Sequence, residues 1–163
     1  MYTPKHFEET RPEALRELIG AHPLATVVTT TARGPDANHI PLLWRADGSP
    51  LGTLVGHVAR ANPMWKDHRP EAEVLAIFQG PQAYVTPAWY PTKAETGKVV
   101  PTWNYAVVHA RGTMRAIEDR AWLRAQVEAL TAHMESPRAS PWAVADAPAD
   151  YIEAMLGAIV GIE

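Results

Sequence analysis

Three short segments rich in β-branched and apolar residues follow one another across very short connections: LATVVTT (Leu24–Thr30), ANHIPLLW (Ala37–Trp44) and GTLVGH (Gly52–His57). The turns between them, ARGPD and ADGSP, are too short for a parallel crossover, which takes about a dozen residues or more. An antiparallel meander is the arrangement they permit. Two further strands, Glu73–Phe78 (EVLAIF) and Gln82–Thr86 (QAYVT), flank a predicted turn at Gln79-Gly80-Pro81. A long strand is expected over Thr102–Ile117, with Gly112 marking a bulge.

Helices are expected only at the margins. Thr10-Arg11-Pro12-Glu13 reads as a capping box, followed by Ala14, Leu15, Leu18 and Ile19 on one face and Gly20 at the end. A short helix lies within Asn62–Asp67, with Asn62 as cap and Pro63 at its first position. Asp119 caps a helix carrying Trp122, Leu123, Val127 and Leu130. After the linker PRASPWAVADAP, a last helix starts at Asp146 or Ala147 and runs through Tyr151, Ile152, Met155, Leu156 and Ile159. Six strands without βαβ alternation exclude a doubly wound sheet. They predict a mainly β, α+β fold: an antiparallel six-stranded barrel with peripheral helices, in one domain spanning 1–163.

Several function classes drop out. The chain has no cysteine, so neither disulfides nor thiolate sites are available, and a reducing cytoplasm is a compatible setting. Its seven histidines form no HxxxH or HExxH pattern, and Ser49, Ser136 and Ser140 all lie in turns or linkers. GxSxG, Walker and GxGxxG patterns are absent. The opening MYTPKHFEETRPE has no apolar signal region, and no apolar run nears the roughly 20 residues of a membrane span. A net charge of −3 offers nucleic acid no overall attraction, and a long Pro-rich segment separates the two final helices, unlike a helix-turn-helix.

Three stretches remain as candidate sites. GHVARANPMWK places His57 at a strand end and Arg60, Asn62 and Lys66 around a helix start, a setting for an anion; a solvated helix face is the alternative. In ANHIPLLW, Asn38 and Ile40 share one strand face and His39 takes the other. Pro41 removes a ladder donor, which predicts an edge or bulge whose free peptide groups can read a heterocycle. TKAETGKVVPTWNY sets Lys93 and Lys98 beside Trp103, Asn104 and Tyr105, with Trp89 and Tyr90 just upstream. Flat rings beside cations suit a planar anionic cofactor, and equally a subunit interface or a mobile lid over a core tryptophan.

The wording of MYTPKHFEE, GHVARANP, FQGPQAYVTPAWYPTKAETGKVVPTWNY and APADYIEAMLGAIVGIE resembles the PaiB family of bacterial proteins, described as FMN-binding negative transcriptional regulators. The resemblance runs over essentially the whole chain. It implies an FMN-binding split β-barrel related to pyridoxamine-phosphate-oxidase-like flavoproteins, working as a homodimer with flavin at the subunit seam. By the same analogy, Asn38, His39 and Ile40 lie along the isoalloxazine ring. Arg60 and Lys66 meet the phosphate with His57 and Asn62 nearby, and the Lys98–Tyr105 segment, with Trp103 and Asn104, covers the site. The family also continues with a further strand and a Lys-Leu-Ser-Gln-Asn segment, whereas this sequence stops at AIVGIE. The functions in view are a flavin-dependent regulator without direct DNA reading, an FMN-dependent oxidoreductase, and a cofactor-free interaction module.

Overall fold

The computed structural model describes residues 1–163. Helix α1, Pro12–Ala21, leads into strand β1, Leu24–Thr31, whose inward side chains Ala25, Val27, Thr29 and Thr31 are buried. The capping box does not form. The helix begins after Arg11, and the Glu9 carboxylate engages the Arg11 amide (2.9 Å) and guanidinium (2.6 Å) instead.

Strand β2, Gly34–Pro41, pairs with β1 along its whole length. The predicted continuation to Trp44 breaks at Leu42. Its amide makes one last bond in the β1–β2 register, to the Pro23 carbonyl (2.8 Å), and strand β3, Leu43–Arg45, joins a different sheet. Pro23 has no N–H to return that bond, so the β1–β2 ladder stops there and the chain changes sheets. Strand β4, Thr53–Ala59, passes under this corner at Gly56, where a Cβ would lie 2.6 Å from the Leu42 side chain and 2.7 Å from the Pro41 carbonyl. The three-stranded meander is therefore not formed: β1 and β2 pair in one sheet, β3 and β4 in the other.

A short helix α2, Met64–Asp67, carries the buried Met64. Strand β5 then runs unbroken from Val74 to Val85, with a register shift between Gln79 and Gln82 in place of the predicted turn. A bulge has room for an unpaired residue, which suits Gly80 and the donor-less Pro81. Helix α3, Thr92–Thr96, closes on Gly97 at φ 67°, and strand β6, Thr102–Gly112, returns along β5. The expected extension to Ile117 is a separate strand β7, Ala116–Ile117.

Helix α4, Arg120–Glu135, is capped by Asp119, which accepts from the Trp122 amide at 2.7 Å. Helix α5 covers Ala149–Gly157, later and shorter than expected, because Ile159–Ile162 leaves the helix to become strand β8. Its β-branched side chains go into the core, with Val160 fully buried.

Eight strands thus form two four-stranded antiparallel sheets, ordered β2-β1-β5-β6 and β3-β4-β8-β7, in place of the six expected. Between them lies the core, including Val27, Val58, Met64, Phe78 and Val160. Fully burying a side chain such as Phe78 contributes about 1.5–3 kcal/mol. A smaller cluster of Leu123, Val144, Ile152 and Leu156 packs α4 and α5 together. Beneath it, Gly161 leaves space for the Trp122 ring, which a Cβ would overlap. No helix is long and apolar enough to cross a membrane.

Candidate functional site

Strand β2 is an edge of the first sheet, as Pro41 predicted, so one side of its backbone has no strand partner. Asn38 and Ile40 sit opposite Val27 and Ala25, on the inward face, whereas His39 pairs with Thr26 and is exposed. Asn38 accepts a 2.8 Å hydrogen bond from the Asn62 amide and donates to Asp36 at 3.1 Å. Asn62 Oδ1 in turn accepts from the Met64 amide (2.9 Å), an Asx turn just ahead of α2; Pro63, not Asn62, holds the N-cap position, one residue later than expected. One side chain therefore shapes the loop after β4 and ties it to the β2 edge. The Lys66 ammonium, 4.6 Å from the centre of the Trp65 ring, has no carboxylate partner. Next to it, His68 is buried with both ring nitrogens unpartnered, and Thr29 Oγ1 is likewise buried without a partner.

Arg60 and His57 are placed otherwise than the sequence suggests. The Arg60 guanidinium donates to the carbonyls of Gly157 (2.9 Å) and Ile159 (3.1 Å) and pairs with Glu118 at 2.5 Å. His57 lies beneath α4, its Nδ1 2.7 Å from Oε1 of the buried Gln126, within β4 and not at its end. Neither partner could be found from local sequence. Gln126 is an apolar-face position of α4 occupied by a polar residue, which is the one hint the sequence carries.

Lys98, Trp103 and Asn104 sit apart from this group. The distal halves of β5 and β6, joined through α3, form an arm in which Tyr84, Trp103 and Tyr105 are 49%, 56% and 63% exposed. Tyr84 and Trp103 meet edge to face at 6.0 Å. No hydrogen bond or ion pair joins Lys98, Trp103 or Asn104 to the Asn38–Asn62 group within the chain. At the body end of the same sheet, the outward row Thr26, Val28, Leu75, Ile77, Val107 and His109 is only half-buried. Burial, and then the positive charges of the N-terminus and Arg111, holds the His109 pKa below the ordinary imidazole value.

This arrangement offers peptide groups of an edge strand to the hydrogen-bonding rim of a planar heterocycle, two linked carboxamides, and one unneutralised ammonium for an anion. No group of His, Asp and Glu residues is placed to hold a metal.

The chain is similar to several known proteins. A family model described as "Putative FMN-binding domain" matches residues 1–163. An uncharacterised protein of Aspergillus fumigatus is 34% identical over 209 aligned residues, spanning 100% of this chain and 80% of its own. The protease synthase and sporulation protein PAI 2 of Bacillus subtilis is 36% identical over 118 residues, 72% of this chain and 54% of that protein. Fungal and bacterial proteins thus share the sequence pattern, which is not confined to bacteria. Among solved structures, the flavocytochrome Anf3 of Azotobacter vinelandii superposes with a TM-score of 0.67 at 15% identity, over 99% of this chain and 67% of its own.

Proposed function

We propose, from the premise that the chain belongs to this FMN-binding domain family, that residues 1–163 act as one FMN-binding split-barrel domain and that two copies form a homodimer with flavin at the seam. The observation that carries the reading is the unpaired Lys66 ammonium beside the Asn62–Asn38 link on an open strand edge. These residues fit the cofactor. Lys66 would meet the phosphate, the free peptide groups around His39 and Ile40 would read the pyrimidine rim, and Asn38 and Asn62 would fix the loop between them. Arg60 would set the shape of that loop through its carbonyl contacts. Bound FMN would supply one- and two-electron redox chemistry.

The homodimer is supported by what each copy leaves uncovered: the half-buried row on the outer face of the first sheet and the exposed aromatics of the arm. Contiguous apolar surface of that kind is the usual mark of a protein interface. Lys98, Trp103 and Asn104 would then reach the flavin from the partner's arm. The domain would act as a cytoplasmic, flavin-dependent negative regulator that does not read DNA bases itself. Helices α4 and α5 pack against each other over the second sheet, so neither is free to enter a groove as a recognition helix.

The test is flavin titration, followed by visible absorbance, with FMN and riboflavin in parallel. Lys66→Ala should lose about tenfold or more in FMN affinity while riboflavin binding stays unchanged, since only the phosphate contact is removed. A dimeric protein that binds no flavin at micromolar concentration would overturn the proposal. Tight sequence-specific gel shifts by the protein alone would overturn its regulatory part.

A further inference from the structure

A cavity of about 550 Å³ opens between the two sheets beneath α1, bounded by Leu15, Ile19, Leu42, Leu54, Val108 and Met114. None of Asn38, His39, Ile40, His57, Arg60, Asn62, Lys66, Lys98, Trp103 or Asn104 lines it. Its size falls in the range of small-molecule sites, about 300–1,000 Å³, and like them it has a mostly apolar wall with few polar groups.

The charges around it are unequal. Arg111 is paired with Glu73 at 2.9 Å, and Glu163 with Arg45 at 3.1 Å and Arg115 at 2.5 Å. Arg16 forms no ion pair or hydrogen bond and lies 4.2 Å over the Trp44 ring. That ring is itself fixed: its indole N–H donates to the Leu51 carbonyl at 2.7 Å, and Gly52, at φ 73°, has no Cβ to collide with it. The guanidinium thereby rests over a fixed platform with its N–H fork unspent. Such a fork matches the two oxygens of a carboxylate.

We propose that this cavity is a second binding site, independent of flavin, for a small apolar molecule bearing one carboxylate, with the tail inside the barrel and the carboxylate on Arg16. It stands whether or not the flavin reading does, because the two sites share no residue.

Calorimetric titration of the full chain with decanoate and with decanol tests it. Decanoate should bind, and decanol should bind at least about tenfold more weakly, the loss of a charge-assisted contact. Arg16→Gln should erase that difference. Gly112 lines the cavity beside its cross-strand partner Val74, and a Cβ there meets nothing within 4 Å, so a side chain can start at this position; Gly112→Leu should occupy the space and abolish binding of both probes. Thermal melting and flavin titration on both variants should match the parent, which separates loss of this site from loss of fold. No decanoate binding, an unchanged carboxylate preference in Arg16→Gln, or undiminished binding in Gly112→Leu would each overturn the proposal.

Discussion

Replacing Arg60 by alanine removes two hydrogen bonds from a guanidinium to main-chain carbonyls, at 2.9 Å to Gly157 and 3.1 Å to Ile159, together with the ion pair to Glu118. Bonds made by a charged donor contribute about 1.5–3 kcal/mol each. Both carbonyls are only partly buried, so water replaces part of the loss and about 1 kcal/mol remains for each. The Glu118 pair is exposed on both sides and adds less than about 1 kcal/mol. The sum is about 2–3 kcal/mol. With a urea slope near 2 kcal/mol per molar for a chain of this size, the unfolding midpoint should fall by about 1–1.5 M. The Arg60 amide keeps its 2.7 Å bond to Ala158, so strand register survives and the variant should fold. Urea unfolding followed by tryptophan fluorescence measures the shift, and FMN and riboflavin titrations on the folded variant should weaken together as the loop loosens. An unchanged midpoint with selective loss of FMN would refute the reasoning and make Arg60 a direct phosphate ligand.

Gly161→Ala should push the Trp122 ring off the second sheet; at about 2 kcal/mol of overpacking, calorimetry should show the melting temperature lowered by about 4–8 °C. Asn62→Ala should cost about 1 kcal/mol through the lost bond to the Met64 amide, whereas Asn62→Asp should keep that bond, lose the one to Asn38, and weaken flavin binding with little change in urea midpoint. Trp103→Lys combined with Tyr105→Lys should yield a monomer by sedimentation with an undiminished melting temperature, because both side chains are exposed within one chain. His109 binds its proton less readily when folded than when unfolded, so the unfolded state takes up more protons below about pH 6.5 and stability should fall as pH drops through that value. His109→Gln should flatten that part of the urea-midpoint profile.

What could be read in advance was set by neighbours along the chain. Strand β1 follows from LATVVTT, the α4 start from Asp119, and the edge position of β2 from the missing N–H of Pro41. The errors come from distant partners. AIVGIE continues an apolar helical pattern, and only pairing with β4 and β7 turns it into a strand. Gln79-Gly80-Pro81 has the composition of a turn, but β6 pairs on both sides of it and makes it a bulge. The candidate site divides the same way. Asn38 and Asn62 stand out by their own strand and helix start, but the bond between them joins segments far apart in the chain, and the fate of Arg60 depends on carbonyls at Gly157 and Ile159 that its own surroundings do not reveal.

The position of β8 within the second sheet bears on the order in which the molecule can assemble. During synthesis, β1, β2, β5 and β6 are all available by residue 112, so the first sheet can close while translation continues. Strand β4 emerges early yet has to wait for Ile159–Ile162 before its second edge is covered. Until then a ribosome-bound chain would hold an open, apolar ledge containing Val55 and Val58, which makes truncated products prone to stick to one another.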